Sequence, residues 1–299
     1  MSPISPMPLG RQDRRSRLQD WFQILRIGFC GAAFAGFGVG WVLLAWVILP
    51  LAYAWPGSTF QRQRRCQQIV RSTWILFHDY MRVTGLIDFD PRRQRMVVAA
   101  PAVVISNHPT LVDVTALLSA IGPACFVVKR PLFGNPIVGP LLRLCGHICN
   151  HAADGPGVVD QAVARIRAGH TVLLFPEGTR SPLGGLDRFR LGAFEIARRA
   201  GVPLVPFAIS AQPPALYKGI PWHAIPRVTV RMDLTLLPAR SLGAGGDAGQ
   251  APENLASLKE ARDEVRRQIQ AALDTTGQTA IVAATTAPPS RHFERGEVR

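Results

Sequence analysis

The sequence predicts an α/β protein: a mixed, mostly parallel sheet flanked by helices, preceded by an N-terminal membrane-associated helical element. Three observations predict it. Short apolar runs of strand type fall near 102–106, 124–128, 171–175, 204–209 and 227–235. Segments of helical length and pattern fall between them near 112–120, 157–168 and 188–200, and such alternation builds a sheet covered by helices. Between Arg26 and Arg62 no residue is charged, and Ile27 to Leu49 alone is long enough to cross a bilayer before Pro50 interrupts it.

Taken in order, residues 1–24 form a basic N-terminal segment that includes Arg11, Arg14, Arg15 and Arg17. Residues 25–60 form a membrane-embedded hairpin or helix. Gly31, Gly36, Gly38 and Gly40, with Ala32, Ala33 and Ala35, give it a small-residue face for close packing or a bend. Arginines flank this segment on both sides, so the charge pattern favours a re-entrant hairpin or two short inclined helices with both ends in the cytoplasm. It is too long, and its end too rich in Trp, Tyr and Pro, for a cleaved secretion signal. Residues 61–95 set Ile69, Val70, Trp74, Phe77 and Met81 against Arg62, Arg65, Arg71 and Arg82, the pattern of an interfacial helix or of an amphipathic core helix. A catalytic domain spans 96–240, with Pro109 at the first position of its first helix and His108 at the N-cap. Gly/Ala-rich 241–252 reads as a linker, 253–274 as a C-terminal helix and 275–299 as a disordered tail.

The chemistry is concentrated in two blocks. Asn107-His108-Pro109-Thr110-Leu111-Val112-Asp113 follows one strand-type run, and Phe175-Pro176-Glu177-Gly178-Thr179-Arg180-Ser181 follows another. In the first, an imidazole has a carboxylate within reach to orient it. In the second, Pro and Gly end a strand in a turn, and Arg180 presents a forked guanidinium suited to phosphate or carboxylate. Open α/β sheets place ligands at such carboxyl ends. A base beside an anion-binding turn suggests acyl transfer onto a hydroxyl.

In these blocks, their order and their separation, the chain resembles the glycerolipid acyltransferase family typified by lysophosphatidic acid (1-acylglycerol-3-phosphate) acyltransferases of the His-x4-Asp type. The resemblance covers about Pro101 to Ile209. It includes Lys129 with Leu132, Phe133, Pro136 and Gly139, and the run Gly201-Val202-Pro203-Leu204-Val205-Pro206-Phe207. It implies a fatty acyl group passed from acyl-CoA or acyl-carrier protein to a lysophospholipid hydroxyl at the cytoplasmic face of the inner (plasma) membrane. It places Pro206 near the donor site. One block departs: Gly146-His147-Ile148-Cys149-Asn150-His151 ends in histidine where the family has an arginine that helps hold the acceptor's phosphate. A lyso-ornithine lipid, an aryl-polyene or another hydroxylated lipid therefore stands as an alternative acceptor.

The expected roles follow. His108 is the general base and Asp113 fixes its tautomer. Glu177, Gly178, Thr179 and Arg180 form the acceptor-binding turn, and Lys129 and Arg130 at a further strand end meet the donor's phosphates. No covalent intermediate is needed, and the chain has no Gly-x-Ser-x-Gly elbow. No cofactor and no metal are expected. Cys145, His147, Cys149 and His151 alternate, but along a strand they stretch over roughly 20 Å and cannot close a tetrahedral site. The net charge of +14, nearly all from arginine, suits an anionic membrane surface. It also allows a non-enzymatic basic membrane-binding protein. Nucleic acid is not expected, because interleaved aromatics and nucleic-acid motifs are lacking. Five scattered cysteines point to a reducing compartment.

Overall fold

The computed structural model describes residues 9–150, 157–243 and 255–277. The predicted 241–252 linker and the 275–299 tail fall mostly outside these residues, as does His151. Among the described residues the sheet has seven strands in the order β1-β7-β6-β2-β5-β3-β4. They are β1 (Ile87–Asp88), β2 (Val103–Ser106), β3 (Cys125–Lys129), β4 (Ile148–Asn150), β5 (Val172–Leu174), β6 (Leu204–Gln212) and β7 (Val230–Leu236). Every pairing is parallel except β6 with β7. The predicted fold class is therefore what forms.

The central strands are buried on both faces, so they read as unbroken apolar runs rather than alternating ones. The period of two still decides which side chain goes where. Val104 joins a core shared with the helices α3 (Thr59–Val83) and α4 (Asp113–Ile121), whereas Val103 and Ile105 join one shared with α7 (Val158–Arg167), α8 (Gly192–Ala200) and α9 (Leu255–Thr275). Two short helices, α5 (Arg130–Gly134) and α6 (Gly139–Leu144), link β3 to β4. Two boundaries move. β1 extends the sheet ahead of residue 96 by pairing with β7, and α9 buries Leu258, Val265, Ile269 and Leu273 as part of the second core.

For residues 25–60 the sequence left a hairpin or a helix open, and within 25–54 the backbone is helical: α1 (Leu9–Leu43) runs through a π turn at Leu44–Ile48 into α2 (Leu49–Ala54). Pro50 has no N–H and its ring crowds the preceding turn. The backbone accommodates it by widening, with the Leu49 N–H bonded to Leu44 O, five residues back. The reversal comes at residues 55–58, and α3 is the second arm. A capping box closes its start: Ser58 Oγ accepts from the Gln61 N–H at 3.2 Å, while Gln61 Oε1 accepts from the Ser58 N–H at 2.8 Å. The α3 stripe of Val70, Trp74 and Met81 faces the core, so it behaves as a core helix rather than one that lays this stripe on an interface.

Asp20–Ala54 is long and apolar enough to cross a membrane by length and composition, and most of its apolar window is unburied. Trp21, Phe22, Val39, Leu51 and Trp55 are all exposed. The small-residue face is used: Gly36 and Gly40, with Phe37 and Trp41, line an apolar groove of about 370 Å³ against Thr73 and Phe77 of α3.

Candidate active site

β2 and β5 are parallel neighbours, so the segments that leave their carboxyl ends meet. These segments are the two blocks singled out in the sequence. Asn107 first locks the exit of β2: its amide Nδ2 donates to Ile209 O at 2.9 Å and its Oδ1 accepts from the Ile209 N–H at 2.7 Å. His108 follows, with Nδ1 2.8 Å from Asp113 Oδ2. The ring lies nearly parallel to Phe175, with centroids 4.2 Å apart and planes 21° from parallel.

The local path differs from the expected N-cap. The helix begins only at Asp113, with Val112 as its N-cap, and residues 108–112 form a tight loop. The reason is Asp113 itself, which is fully buried. Its Oδ2 also accepts from the Thr110 N–H at 2.7 Å, and its Oδ1 accepts from the Thr110 hydroxyl. A carboxylate with three donors converging on it can be buried, and it folds the loop back so that an i,i+5 pair meets.

The turn after β5 is fastened to this loop. The His108 N–H donates to Ser181 Oγ at 3.0 Å and to Glu177 Oε1 at 3.3 Å, and the Ser181 N–H donates to His108 O at 2.7 Å. The Ser181 hydroxyl donates to Glu177 Oε1 at 2.5 Å, and the Asp187 N–H donates to Glu177 Oε2 at 2.8 Å. Burial raises the Glu177 carboxyl above its usual range against the pull of these donors. Glu177 therefore faces inward as a strut of the turn. Gly178 has φ +73°, and a Cβ there would come within 3.0 Å of the Arg190 guanidinium. Thr179 Oγ1 accepts from Lys218 Nζ at 3.4 Å.

Arg180 Nη1 donates to Leu216 O at 3.1 Å, which ties the turn to the loop after β6. That carbonyl also accepts from the Leu111 N–H at 3.2 Å, and Tyr217 bridges Thr110. Leu216 has φ +60°, a conformation that turns its carbonyl towards both segments. Thus His108, Asp113, Glu177, Gly178, Thr179 and Arg180 come together. Lys129 and Arg130 are exposed at the carboxyl end of the nearby β3, and Pro206 lies buried in β6 beside Ile105. Thr110, Phe175 and Ser181 lay within the quoted blocks, but residue type and spacing alone did not mark them as partners of His108 and Asp113. Leu216 and Tyr217 carry no local signal.

All five cysteines are free and buried, and burial pushes the Cys66 and Cys125 thiols up to about 11 and about 12. They are protonated thiols, poor nucleophiles. Among the described residues no group of three His, Cys, Asp or Glu converges as metal ligands, and His147 lies tilted against Phe126, centroids 3.9 Å apart, with its Nδ1 accepting from the Phe126 N–H at 3.3 Å.

Residues 72–210 match the family described as Acyltransferase. Among relatives, the chloroplastic 1-acyl-sn-glycerol-3-phosphate acyltransferase BAT2 of Brassica napus is 36% identical over 36% of this chain and 33% of its own length. The 1-acyl-sn-glycerol-3-phosphate acyltransferases of Pseudomonas aeruginosa and Escherichia coli are 29% and 32% identical, over 48% and 36% of this chain and 58% and 46% of theirs. The aligned part thus spans about a third of the plant relative's length. The crystal structure of PlsC, the 1-acyl-sn-glycerophosphate acyltransferase of Thermotoga maritima, matches with a TM-score of 0.60 at 17% identity, over 91% of this chain and 100% of that one, a likeness of fold. The resemblance to glycerolipid acyltransferases that the two blocks carry is borne out over this region.

Proposed function

We propose that this chain is a membrane-associated O-acyltransferase that esterifies a lipid hydroxyl from an acyl thioester, acyl-CoA or acyl-carrier protein. The observation that carries the reading is the buried carboxylate of Asp113 against His108 Nδ1, with the 175–181 turn hydrogen-bonded to the His108 backbone. Because a carboxylate accepts, Nδ1 carries the hydrogen and Nε2 is the basic nitrogen. Nε2 takes the proton of the acceptor hydroxyl as its oxygen attacks the thioester carbonyl. The C–S bond then breaks, and the departing thiolate takes that proton from the imidazolium, which Asp113 stabilises throughout. Ester and free thiol leave, and the histidine is regenerated.

The first acceptor is 1-acyl-sn-glycerol-3-phosphate, giving phosphatidic acid, in keeping with the names of the relatives and with Arg180 in the turn. The second reading keeps the chemistry and changes the acceptor, and the histidine at position 151, where the family has arginine, favours it. The unburied apolar helix and the net charge of +14 support seating on an anionic bilayer at its cytoplasmic face, and the groove between α1 and α3 has the lining an acyl chain requires.

The test uses the full chain in detergent or vesicles with labelled acyl-CoA and acyl-carrier protein, against a panel of lysophosphatidic acid, lyso-ornithine lipid and other hydroxylated lipids. His108→Ala is expected to lower kcat by about 100- to 10,000-fold with circular dichroism unchanged. Wild-type turnover in that variant removes the proposal. Binding to anionic vesicles without transfer from either donor would leave only a basic membrane-binding protein.

A further inference from the structure

Thr115, two residues after Asp113, contacts a histidine that the proposed chemistry does not use. His78, on α3, has no exposed surface and sits between the rings of Phe77 and Phe89, its centroid 4.8 Å from that of Phe89. Its Nε2 is 2.9 Å from Thr115 Oγ1 in the first turn of α4. The Thr115 hydroxyl spends its single proton on Val112 O, at 2.6 Å. Its oxygen can then only accept from the imidazole, so Nε2 carries the hydrogen. Nδ1 is left as a bare acceptor, and it is buried with no partner.

A leucine or phenylalanine among these rings would occupy the same space without an orphaned nitrogen. The site therefore carries a destabilising atom, and what the imidazole supplies in return is one directed donor. That donor acts on a specific place. Val112 is the N-cap of α4, its carbonyl accepts both the Thr115 hydroxyl and the Ala116 N–H, and the next residue is Asp113. Burial holds the His78 imidazole down at about 3, so it stays neutral and the donor is constant wherever His108 could work as a base.

We infer that His78 is a positioning residue for the His108–Asp113 pair, acting through Thr115 and the Val112 carbonyl to fix the turn from which the carboxylate projects. It also joins α3, the second arm of the N-terminal hairpin, to that turn. The inference rests on the reading of His108 and Asp113 as the reacting pair.

The experiment uses the full chain and four variants, His78→Leu, His78→Gln, Thr115→Val and the double variant of His78→Leu with Thr115→Val. In His78→Leu the melting temperature is expected to stay level or rise while kcat falls about tenfold or more, with KM for both substrates unchanged within about twofold. His78→Gln, whose amide can donate along the same line, recovers most of kcat. Thr115→Val lowers kcat as His78→Leu does, and the double variant is no worse than either single one, since both break one link. Wild-type kcat in His78→Leu overturns the inference, as does a loss of activity that tracks a loss of melting temperature equally in Leu and Gln. One arm does not depend on turnover: nitrogen NMR of the His78 ring is expected to show protonated Nε2 and bare Nδ1, and the opposite tautomer refutes the assignment. If wild-type protein transfers no acyl group, the proposed function fails on its own assay while this arm still decides the hydrogen bond.

Discussion

Asp113 has three donors converging on its carboxylate, and only one of them is the imidazole. Asp113→Asn replaces one acceptor oxygen with a donor, so either the Thr110 loop or the His108 tautomer is lost. We expect kcat to fall about 100-fold or more, with acceptor KM little changed, in steady-state assays. Asn107 is the contrast. Its two bonds hold the β2 exit to Ile209, and Asn107→Ala leaves a buried N–H and C=O without these partners. The expected outcome is a loss of about 1–3 kcal/mol in denaturant unfolding. At this scale the pairing of His108 with Asp113 was legible because both lie in one short block, and the path between them was not. A cap geometry was expected from Pro109, whereas Thr110, bonded twice to Asp113, sets the loop. The Leu216 carbonyl that anchors Arg180 comes from a remote loop, where nothing about a leucine announces a left-handed backbone.

Five of the strands and the helices α4, α7 and α8 could be read to within a few residues, since each of those strands is an apolar run bounded by polar or turn residues, whereas the short α5 and α6 were not. The same logic misses β1 and β4. Ile87–Asp88 and Ile148–Asn150 are too short to show a pattern and are strands only because β7 and β3 offer them partners. It also misreads Pro50, which sequence rules treat as a helix end and which a π turn absorbs here. The true end of that helix is marked by the next helix's cap, Ser58 with Gln61. Ser58→Ala removes the acceptor for the Gln61 N–H, and we expect it to destabilise the protein by about 0.5–2 kcal/mol, read as a lowered melting temperature with kcat unchanged. A Ser58→Asp variant, which can still cap, should restore most of that loss.

Across the whole molecule, the imidazoles of His78 and His147 share one consequence of burial: desolvation lowers both to about 3, and burial also lowers His170, to about 4. In the unfolded chain each titrates near about 6.5. Between these values the unfolded state binds more protons than the folded one, so stability is full above the unfolded value and is lost as pH falls towards the folded one. Once pH is well below 6.5, each fully buried ring removes about 1.4 kcal/mol of stability per further pH unit. The carboxylates lowered by arginine partners, Asp79 and Glu195 among them, lose their contribution only as pH passes below the ordinary carboxylate range, while Glu177, raised by burial, takes up its proton earlier in the folded chain and opposes the fall, so between about 6 and 4.5 the three rings set the sign against one carboxyl. Urea unfolding of the full chain at pH 7.5, 5.5 and 4.5 should show stability falling steeply over the last step. His147→Asn, which cannot charge, should flatten the slope by about the share of one ring, although its own packing loss lowers the curve as a whole. Equal stability at pH 7.5 and 4.5 in the parent chain would mean that these rings are hydrated in solution. The orphaned Nδ1 of His78 would then have water beside it, and the reason for keeping a histidine against Thr115 would have to be sought elsewhere.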